Sequence, residues 1–127
     1  MKKNDKKKIL VADDESFVIL LVRSMLGQDY IVLEAKNGEE AVNIARSQKP
    51  ALVLMDIMMP EMDGYTSCHR IKTDPVTKAI PVVMLTALGY ELNVKLSKEM
   101  GADGYLTKPF SSQDLLDVIG KFLTRFQ

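Results

Sequence analysis

The chain has 127 residues, of which 46% are hydrophobic and 27% charged, and its 17 basic and 17 acidic residues cancel. This length and composition are typical of one globular domain with its own core. Residues 1–8 carry five lysines and one aspartate, whereas the remainder carries 12 basic and 16 acidic residues. We interpret residues 1–7 as a basic disordered tail and residues 8–127 as one domain. Its mildly acidic body argues against direct nucleic-acid binding by the domain.

The chain contains one cysteine and one histidine. This count excludes an internal disulfide framework and a zinc or Cys/His catalytic site. The longest apolar run, residues 17–22, is too short to span a bilayer, and the acidic residues 13–15 interrupt any signal-peptide core. These features predict a cytoplasmic protein without membrane contact.

Strand and helix patterns alternate five times along the chain. The predicted strands are residues 9–12, 30–35, 51–56, 82–85 and 103–107. The predicted helices are residues 16–28, 39–48, a segment from Gly64 to about residue 72, residues 91–100, and a last helix capped by Ser111 or Ser112. Residues 51–55 are continuously apolar, which is typical of a strand buried on both faces. The alternation predicts an α/β fold: a three-layer, doubly wound, five-stranded parallel sheet with five helices.

Polar residues stand at the ends of four predicted strands. They are Asp13 and Asp14, Asp56, Thr86, and Lys108 with Pro109. Ligands of open parallel sheets bind outside the carboxyl ends of the strands, so we expect these side chains to converge. Crowded carboxylates repel one another unless a cation is present, and Mg²⁺ prefers oxygen ligands. The cluster therefore predicts a Mg²⁺ site.

Asp56 has the chemistry of a nucleophile, since a carboxylate can attack phosphorus and form an acyl phosphate. Lys108 would supply a positive charge to a phosphoryl oxygen, and Thr86 would donate its hydroxyl. Main-chain amides near Met58 and Ala87 would complete the binding of the phosphoryl group.

Each residue also has an ordinary interpretation when it is taken alone. Asp13 and Asp14 can cap the following helix, Thr86 can be a plain strand residue, and Lys108 can be a surface lysine. The joint placement at several strand ends favours the site. A cis bond before Pro109 would turn the chain sharply and aim Lys108 into the crevice, but the sequence alone predicts the trans isomer.

The motifs then resemble those of a known family. Asp13-Asp14, the segment from Asp56 to Gly64, Thr86-Ala87, and the segment from Lys108 to Phe110 are similar in order and spacing to the signature of receiver domains of two-component response regulators. The similarity extends from about residue 8 to residue 125. It implies a flavodoxin-like fold with strand order 2-1-3-4-5.

The resemblance also implies a chemistry for the acidic residues. Asp56 would accept a phosphoryl group from the phosphohistidine of a sensor histidine kinase or phosphotransfer protein. Asp14, Asp56 and the main-chain carbonyl of Met58 would bind Mg²⁺ directly, and Asp13 would bind it through a water molecule. The domain would be a signalling switch with self-catalysed phosphoryl transfer, not a turnover enzyme.

Thr86 and Tyr105 match the family's switch residues. Phosphoryl oxygens would draw Thr86 toward Asp56, and the Tyr105 ring would turn into the space that opens. The surface formed by the fourth helix, the fifth strand and the fifth helix would then change its affinity for an output partner or effector domain, typically by about 5–150-fold.

Two apolar positions bear on the lifetime of the phosphorylated form. In the family, the residues two positions after the phosphoacceptor and two positions after the threonine vary, and they influence hydrolysis of the acyl phosphate. In this chain they are Met58 and Leu88, whose apolar side chains cannot orient a water molecule by hydrogen bonding. We therefore hypothesise slow self-dephosphorylation. In the last helix, Leu116 and Leu123 lie off the main apolar stripe and would allow contact with a partner or a phosphorylation-dependent dimer.

Two other classes of function remain as alternatives. One is a Mg²⁺-dependent aspartyl-phosphate phosphatase, but these enzymes carry an acid/base aspartate two residues after the nucleophile, where this chain has Met58. The other is an unphosphorylated pseudo-receiver scaffold, which would be expected to lose site residues. The sequence leaves open the kinase, the output, and whether the domain acts alone or within a longer regulator.

Overall fold

The computed structural model describes residues 6–87 and 91–123, with the main chain alone at residues 87 and 91–94. Five strands alternate with five helices, as the sequence predicts. The strands are β1 (Lys8–Ala12), β2 (Ile31–Ala35), β3 (Leu52–Asp56), β4 (Val82–Ala87) and β5 (Gly104–Lys108). The helices are α1 (Ser16–Leu26), α2 (Gly38–Gln48), α3 (Gly64–Thr73), α4 (Glu91–Glu99) and α5 (Ser112–Phe122).

The strands form one parallel sheet in the order β2-β1-β3-β4-β5. This order confirms the predicted doubly wound, flavodoxin-like topology. Strand β1 lies inside the sheet. β2 pairs with it on one side, and β3, β4 and β5 follow in order on the other side. The change of direction lies between β1 and β3, which is where open α/β sheets form their ligand-binding crevice.

Alternating strand residues fill two separate cores, one on each face of the sheet. In β3, Leu52 and Leu54 pack with α1 and α5, whereas Val53 and Met55 pack with α2 and α3. Because both faces are covered, β3 is apolar and fully buried until it reaches Asp56. A strand with this pattern can carry a carboxylate to the rim of the sheet without exposing its other residues.

Several element boundaries differ from the prediction. Helix α1 ends at Leu26, two residues early, because Gly27 has a φ of 62° and its N–H donates to the carbonyl of Arg23. Strand β4 extends two residues beyond its predicted end at residue 85, and β5 has the predicted length but lies one residue later, at Gly104–Lys108. Thr86 pairs with Thr107, and residue 87 pairs with Lys108. Thr86 is therefore a strand residue and does not start a loop.

Side chains cap three of the helices. Asn37 accepts a hydrogen bond from the N–H of Glu40 at the start of α2, and Asp63 accepts one from the N–H of Thr66 at the start of α3. Ser111, not Ser112, caps α5 and forms a reciprocal capping box with Asp114. These caps fix where each helix begins after its strand.

Helix α1 is less buried than its apolar sequence suggests. Val18, Ile19 and Val22 pack into the core, but Phe17 is 72% exposed and Leu20 is 65% exposed. A nearly continuous apolar run therefore does not mean that the helix is covered on all sides. Leu116 on α5 is also exposed, as the sequence analysis suggested for part of that helix.

Some predictions concern residues outside the described part of the chain. These are residues 1–5 of the basic tail, Leu88, and the last residues of the predicted domain, 124–127. The division into a tail and a domain stays a prediction. Among the described helices, none combines the length and the apolar character needed to cross a membrane.

The turn from β3 into α3 depends on a glycine. A Cβ on Gly64 would lie 2.1 Å from the carbonyl oxygen of Asp56, whereas one on Gly120, within α5, would meet no described atom within 4 Å. We expect Gly64→Ala to lower the free energy of unfolding by about 2 kcal/mol or more, because main chain must move. Gly120→Ala should raise it by about 0.5–1 kcal/mol. Urea unfolding of both variants tests this, and equal stabilities would contradict the close approach.

Candidate functional site

The register of the sheet brings four strand ends to one edge. Ala12 pairs with Met55, so Asp13 emerges beside Asp56. Asp56 itself pairs with Leu85, which places Thr86 one residue beyond it on the neighbouring strand. These side chains come from segments far apart in sequence, and parallel pairing alone aligns them.

Three carboxylates lie together at this edge. Oxygen atoms of Asp13, Asp14 and Asp56 are all within 4.8 Å of one another. Asp13 and Asp56 are buried, and Asp14 is exposed at the opening of the crevice. One buried oxygen of Asp13 accepts a hydrogen bond from the main-chain N–H of Glu15 at 2.9 Å. The cluster is a set of oxygen donors with one side open to solvent.

Lys108 supplies the positive charge of the cluster. Its Nζ lies 2.9 Å from Asp13 Oδ2 and 3.2 Å from Asp56 Oδ1, and it donates a hydrogen bond to each. The peptide bond between Lys108 and Pro109 is cis, whereas the sequence alone predicted trans. The structure thus brings Lys108 to the carboxylates, in the crevice where the sequence analysis expected it.

The surroundings shift the pKa of both partners. Burial, and then the negative charge of Asp13, raise the pKa of Asp56 from 3.8 to about 6, although Lys108 acts in the opposite direction. Burial disfavours the charged form of Lys108, but the hydrogen bond from its ammonium to Asp13 and the charge of Asp56 outweigh that effect, and its pKa is raised. Near neutral pH, the single positive charge of Lys108 does not neutralise the negative charges of the three clustered carboxylates.

The other predicted residues lie around this cluster. Thr86 is buried on β4, and the main chain of Ala87 follows it at the end of the strand. The Met58 side chain is 79% exposed on the loop after β3. Together with Met59, Pro60 and Tyr65, it borders an open, largely apolar hollow of about 550 Å³ that also touches Asp14.

Tyr105 lies outside the cluster, on the surface that the sequence analysis assigned to output. It is 41% exposed on β5, the edge strand. It lines two grooves of about 350 and 400 Å³, both of which are also lined by Val118 on α5. Tyr105 thus lies where β5 meets α5, beside both grooves.

Glu15 lies near the site, and the sequence analysis did not identify it as a site residue. Glu15 Oε1 lies 3.7 Å from Lys108 Nζ, and the Glu15 side chain is 65% exposed. Glu15 occupies the N-cap position of α1, but within the described part of the chain its side chain makes no capping hydrogen bond. The sequence offers only its position directly after Asp14, among the acidic residues 13–15 that interrupt a signal-peptide core and would repel a pyrophosphate.

The sequence matches proteins of known class over nearly its whole length. A family model described as the response regulator receiver domain matches residues 9–120. The chain is 42% identical over 123 residues to "Probable transcriptional regulator ycf27" of Porphyra purpurea, covering 96% of this chain and 49% of that protein. It thus spans about half the length of that relative. It is 39% identical over 119 residues to chemotaxis protein CheY of Halobacterium salinarum, covering 93% of this chain and 98% of that protein.

Solved structures show the same fold. The chemotaxis protein CheY4 of Vibrio cholerae superposes with a TM-score of 0.85 at 30% identity, covering 93% of this chain and 99% of that one. The receiver domain of sensor histidine kinase PA1611 from Pseudomonas aeruginosa PAO1, determined with a magnesium ion coordinated in its active site cleft, superposes with a TM-score of 0.85 at 26% identity. It covers 92% of this chain and 97% of its own.

The fold, the strand order and the family model agree with the resemblance seen in the sequence. Receiver domains are signalling domains of two-component systems. The chain belongs to the response regulator receiver domain family.

Proposed function

We propose that the domain is a phosphorylation-controlled switch in which Asp56 accepts a phosphoryl group from a phosphohistidine. The observation that carries this proposal is the contact of one ammonium, that of Lys108, with both Asp56 and Asp13 inside a cluster of three carboxylates. A nucleophilic oxygen, a cation for the transferred oxygens and ligands for a metal ion are the parts that phosphoryl transfer requires.

The donor set fits Mg²⁺. Three clustered carboxylates are hard oxygen ligands, and Lys108 is the one cation that contacts them among the described residues. We assign Asp14, Asp56 and the main-chain carbonyl of Met58 as direct ligands, with Asp13 bound through water. Bound Mg²⁺ supplies positive charge against the oxygens of a phosphoryl group. The magnesium ion in the cleft of the PA1611 receiver domain supports this assignment.

The transfer itself is a displacement at phosphorus. An oxygen of ionised Asp56 forms the new O–P bond, and the P–N bond to the donor imidazole breaks with its electron pair passing to nitrogen. The ring leaves as neutral imidazole because its other nitrogen carries a proton. Asp56 is buried except toward the crevice, which limits the directions from which a donor can approach.

Three groups of the chain bind the transferred oxygens. Lys108 moves its ammonium from the carboxylate of Asp56 to a phosphoryl oxygen, while its hydrogen bond to Asp13 keeps it in the crevice. Thr86 donates its hydroxyl, and the main-chain N–H of Ala87 adds a neutral donor. Pro109 has a structural role in placing Lys108 at the end of β5.

The switch runs from Thr86 to Tyr105. Thr86 and Tyr105 lie on neighbouring strands, since Thr86 pairs with Thr107 two residues after Tyr105. Movement of Thr86 toward the phosphoryl group would leave room for the ring of Tyr105, a residue that lines two grooves on this surface. The affected α4-β5-α5 surface would bind an output partner, an effector domain or a second phosphorylated copy.

The biological setting follows from the family. Receiver domains act with sensor histidine kinases, so we propose a sensor kinase or phosphotransfer protein as the donor and the cytoplasm as the location. The phosphatase alternative lacks an acid/base residue at Met58, whose side chain points into solvent. The pseudo-receiver alternative has no support in the site, because all the proposed ligands are present.

The raised pKa of Asp56 makes its ionised form a cost to the apo fold. The folded pKa lies above 3.8, so this contribution to stability is present at low pH and is lost as the pH rises through about 6. Without Mg²⁺, Asp56→Asn should be more stable than wild type by about 1–3 kcal/mol at about pH 7.5, with the difference vanishing near about pH 4. Denaturant unfolding across pH measures this, with Asp29→Asn, an exposed carboxylate, as the control.

Phosphorylation can be measured directly by intact mass after incubation with Mg²⁺ and acetyl phosphate. We expect one added phosphoryl group in wild type and none in Asp56→Asn or in the presence of EDTA. Asp29→Asn should behave like wild type. Modification that persists in Asp56→Asn would place the acceptor elsewhere and contradict the assignment.

The residues two positions after Asp56 and Thr86 bear on the lifetime of the phosphorylated form. The exposed Met58 and the apolar Leu88, which lies outside the described residues, cannot position an attacking water. Replacing Met58 with Asn and Leu88 with Glu should shorten the lifetime by about tenfold or more, which is within the range of general acid–base effects. Decay followed by mass after removal of donor tests this, and an unchanged lifetime in the double variant would refute it.

A further inference from the structure

Glu15 adds a fourth carboxylate to the site without being one of its proposed ligands. Its Oε1 lies 3.7 Å from Lys108 Nζ, on the exposed side, whereas Asp13 and Asp56 hold the same ammonium from the buried side. Lys108 therefore faces three carboxylates, and that of Glu15 is the most exposed of them.

The main chain fixes Glu15 in this place. Its N–H donates to Asp13 Oδ1 at 2.9 Å, and its carbonyl oxygen accepts from the N–H of Val18 at 3.0 Å in the first turn of α1. An N-cap side chain usually accepts a hydrogen bond from the helix. The Glu15 carboxylate instead lies near Lys108, so its charge belongs to the site and not to the helix end.

The charge balance shows what this carboxylate changes. Four carboxylates (Asp13, Asp14, Glu15 and Asp56), one ammonium (Lys108) and one divalent cation would leave one net negative charge. Without Glu15 the same set would be neutral. A donor that carries its charge as a small free anion meets repulsion at the entrance, whereas a donor that brings basic groups meets attraction.

We infer that Glu15 is a specificity residue that discriminates against small anionic phosphodonors in favour of donors whose approaching surface is positively charged. This inference rests on the proposed function, because it concerns transfer to Asp56. The discrimination acts before the chemical step: the Glu15 charge lowers the local concentration of the anion and competes with its phosphoryl oxygens for Lys108. The displacement at phosphorus is the same with and without Glu15.

The test compares two small donors of different charge at saturating Mg²⁺. With acetyl phosphate, a dianion, the Asp56 oxygen displaces acetate, which leaves with the electron pair of the P–O bond. With phosphoramidate, a monoanion at neutral pH, it displaces ammonia, whose nitrogen is already protonated. Glu15→Gln should speed transfer from acetyl phosphate by about threefold to tenfold at low salt and transfer from phosphoramidate by less, and added salt should shrink both gains.

The affinity for Mg²⁺ is a second, independent measurement, and Glu15→Gln should lower this affinity while it raises the rate of transfer. Calorimetric titration with Mg²⁺ should show Glu15→Gln binding the ion about twofold to threefold more weakly, because a nearby negative charge has been removed. Damage to the fold would slow transfer and weaken binding together. A faster transfer with weaker Mg²⁺ binding is the signature of charge alone.

Asp29→Asn is the matched control. Asp29 is exposed between α1 and β2, outside both the site and the α4-β5-α5 surface, and its replacement removes the same charge from the chain. It should change neither rate nor affinity. A Glu15→Gln rate equal to wild type with both donors would overturn the inference while leaving Asp56 as acceptor. Wild-type protein that both donors leave unmodified would contradict the proposed function and the inference together.

Discussion

The site depends on one shared ammonium. Lys108 places a positive charge within 3.2 Å of two buried carboxylates, and without it Asp13 and Asp56 would face each other uncompensated. Burial, and then the charge of Asp13, still raise the pKa of Asp56 to about 6, although Lys108 acts in the opposite direction. The apo protein thus retains negative charge that a metal ion can relieve, and a cation that a phosphoryl group can take over. Three carboxylates around one ammonium leave negative charge over, which is why we propose a metal-binding site here and not a structural ion pair.

This arrangement is a consequence of the sheet. β3 is buried on both faces up to Asp56, so the carboxylate appears only where the strand leaves the core. Parallel register then aligns Asp13, Thr86 and Lys108 beside it. Gly64 at the start of α3 packs so closely against the carbonyl of Asp56 that no Cβ fits between them. Thr86 and Tyr105 lie on the paired strands β4 and β5, along which the proposed switch would connect the site to the α4-β5-α5 surface.

The sequence predicted the fold and the convergence of the site well, because buried parallel strands are continuous apolar runs and their ends are marked by the first polar residue, as at Asp56. The sequence was less informative about features that depend on tertiary contacts. Pairing with β5 kept Thr86 in the strand, and the surrounding fold set the cis isomer at Pro109. The apolar pattern of α1 does not indicate that Phe17 is exposed to solvent. The contact between Glu15 and Lys108 depends on the direction of the Glu15 side chain, which the spacing of residues does not specify.

A crystal structure grown with Mg²⁺ and beryllium fluoride, which mimics a phosphoryl group on a carboxylate, tests the central claim most directly. The account predicts the mimic bonded to an oxygen of Asp56, with Lys108 and Thr86 in hydrogen-bond contact with its fluorine atoms and an ion held by Asp14. Lys108 should then no longer donate to Asp56. Beryllium fluoride absent from Asp56 while Mg²⁺ is bound, or Lys108 still paired with that carboxylate, would contradict it.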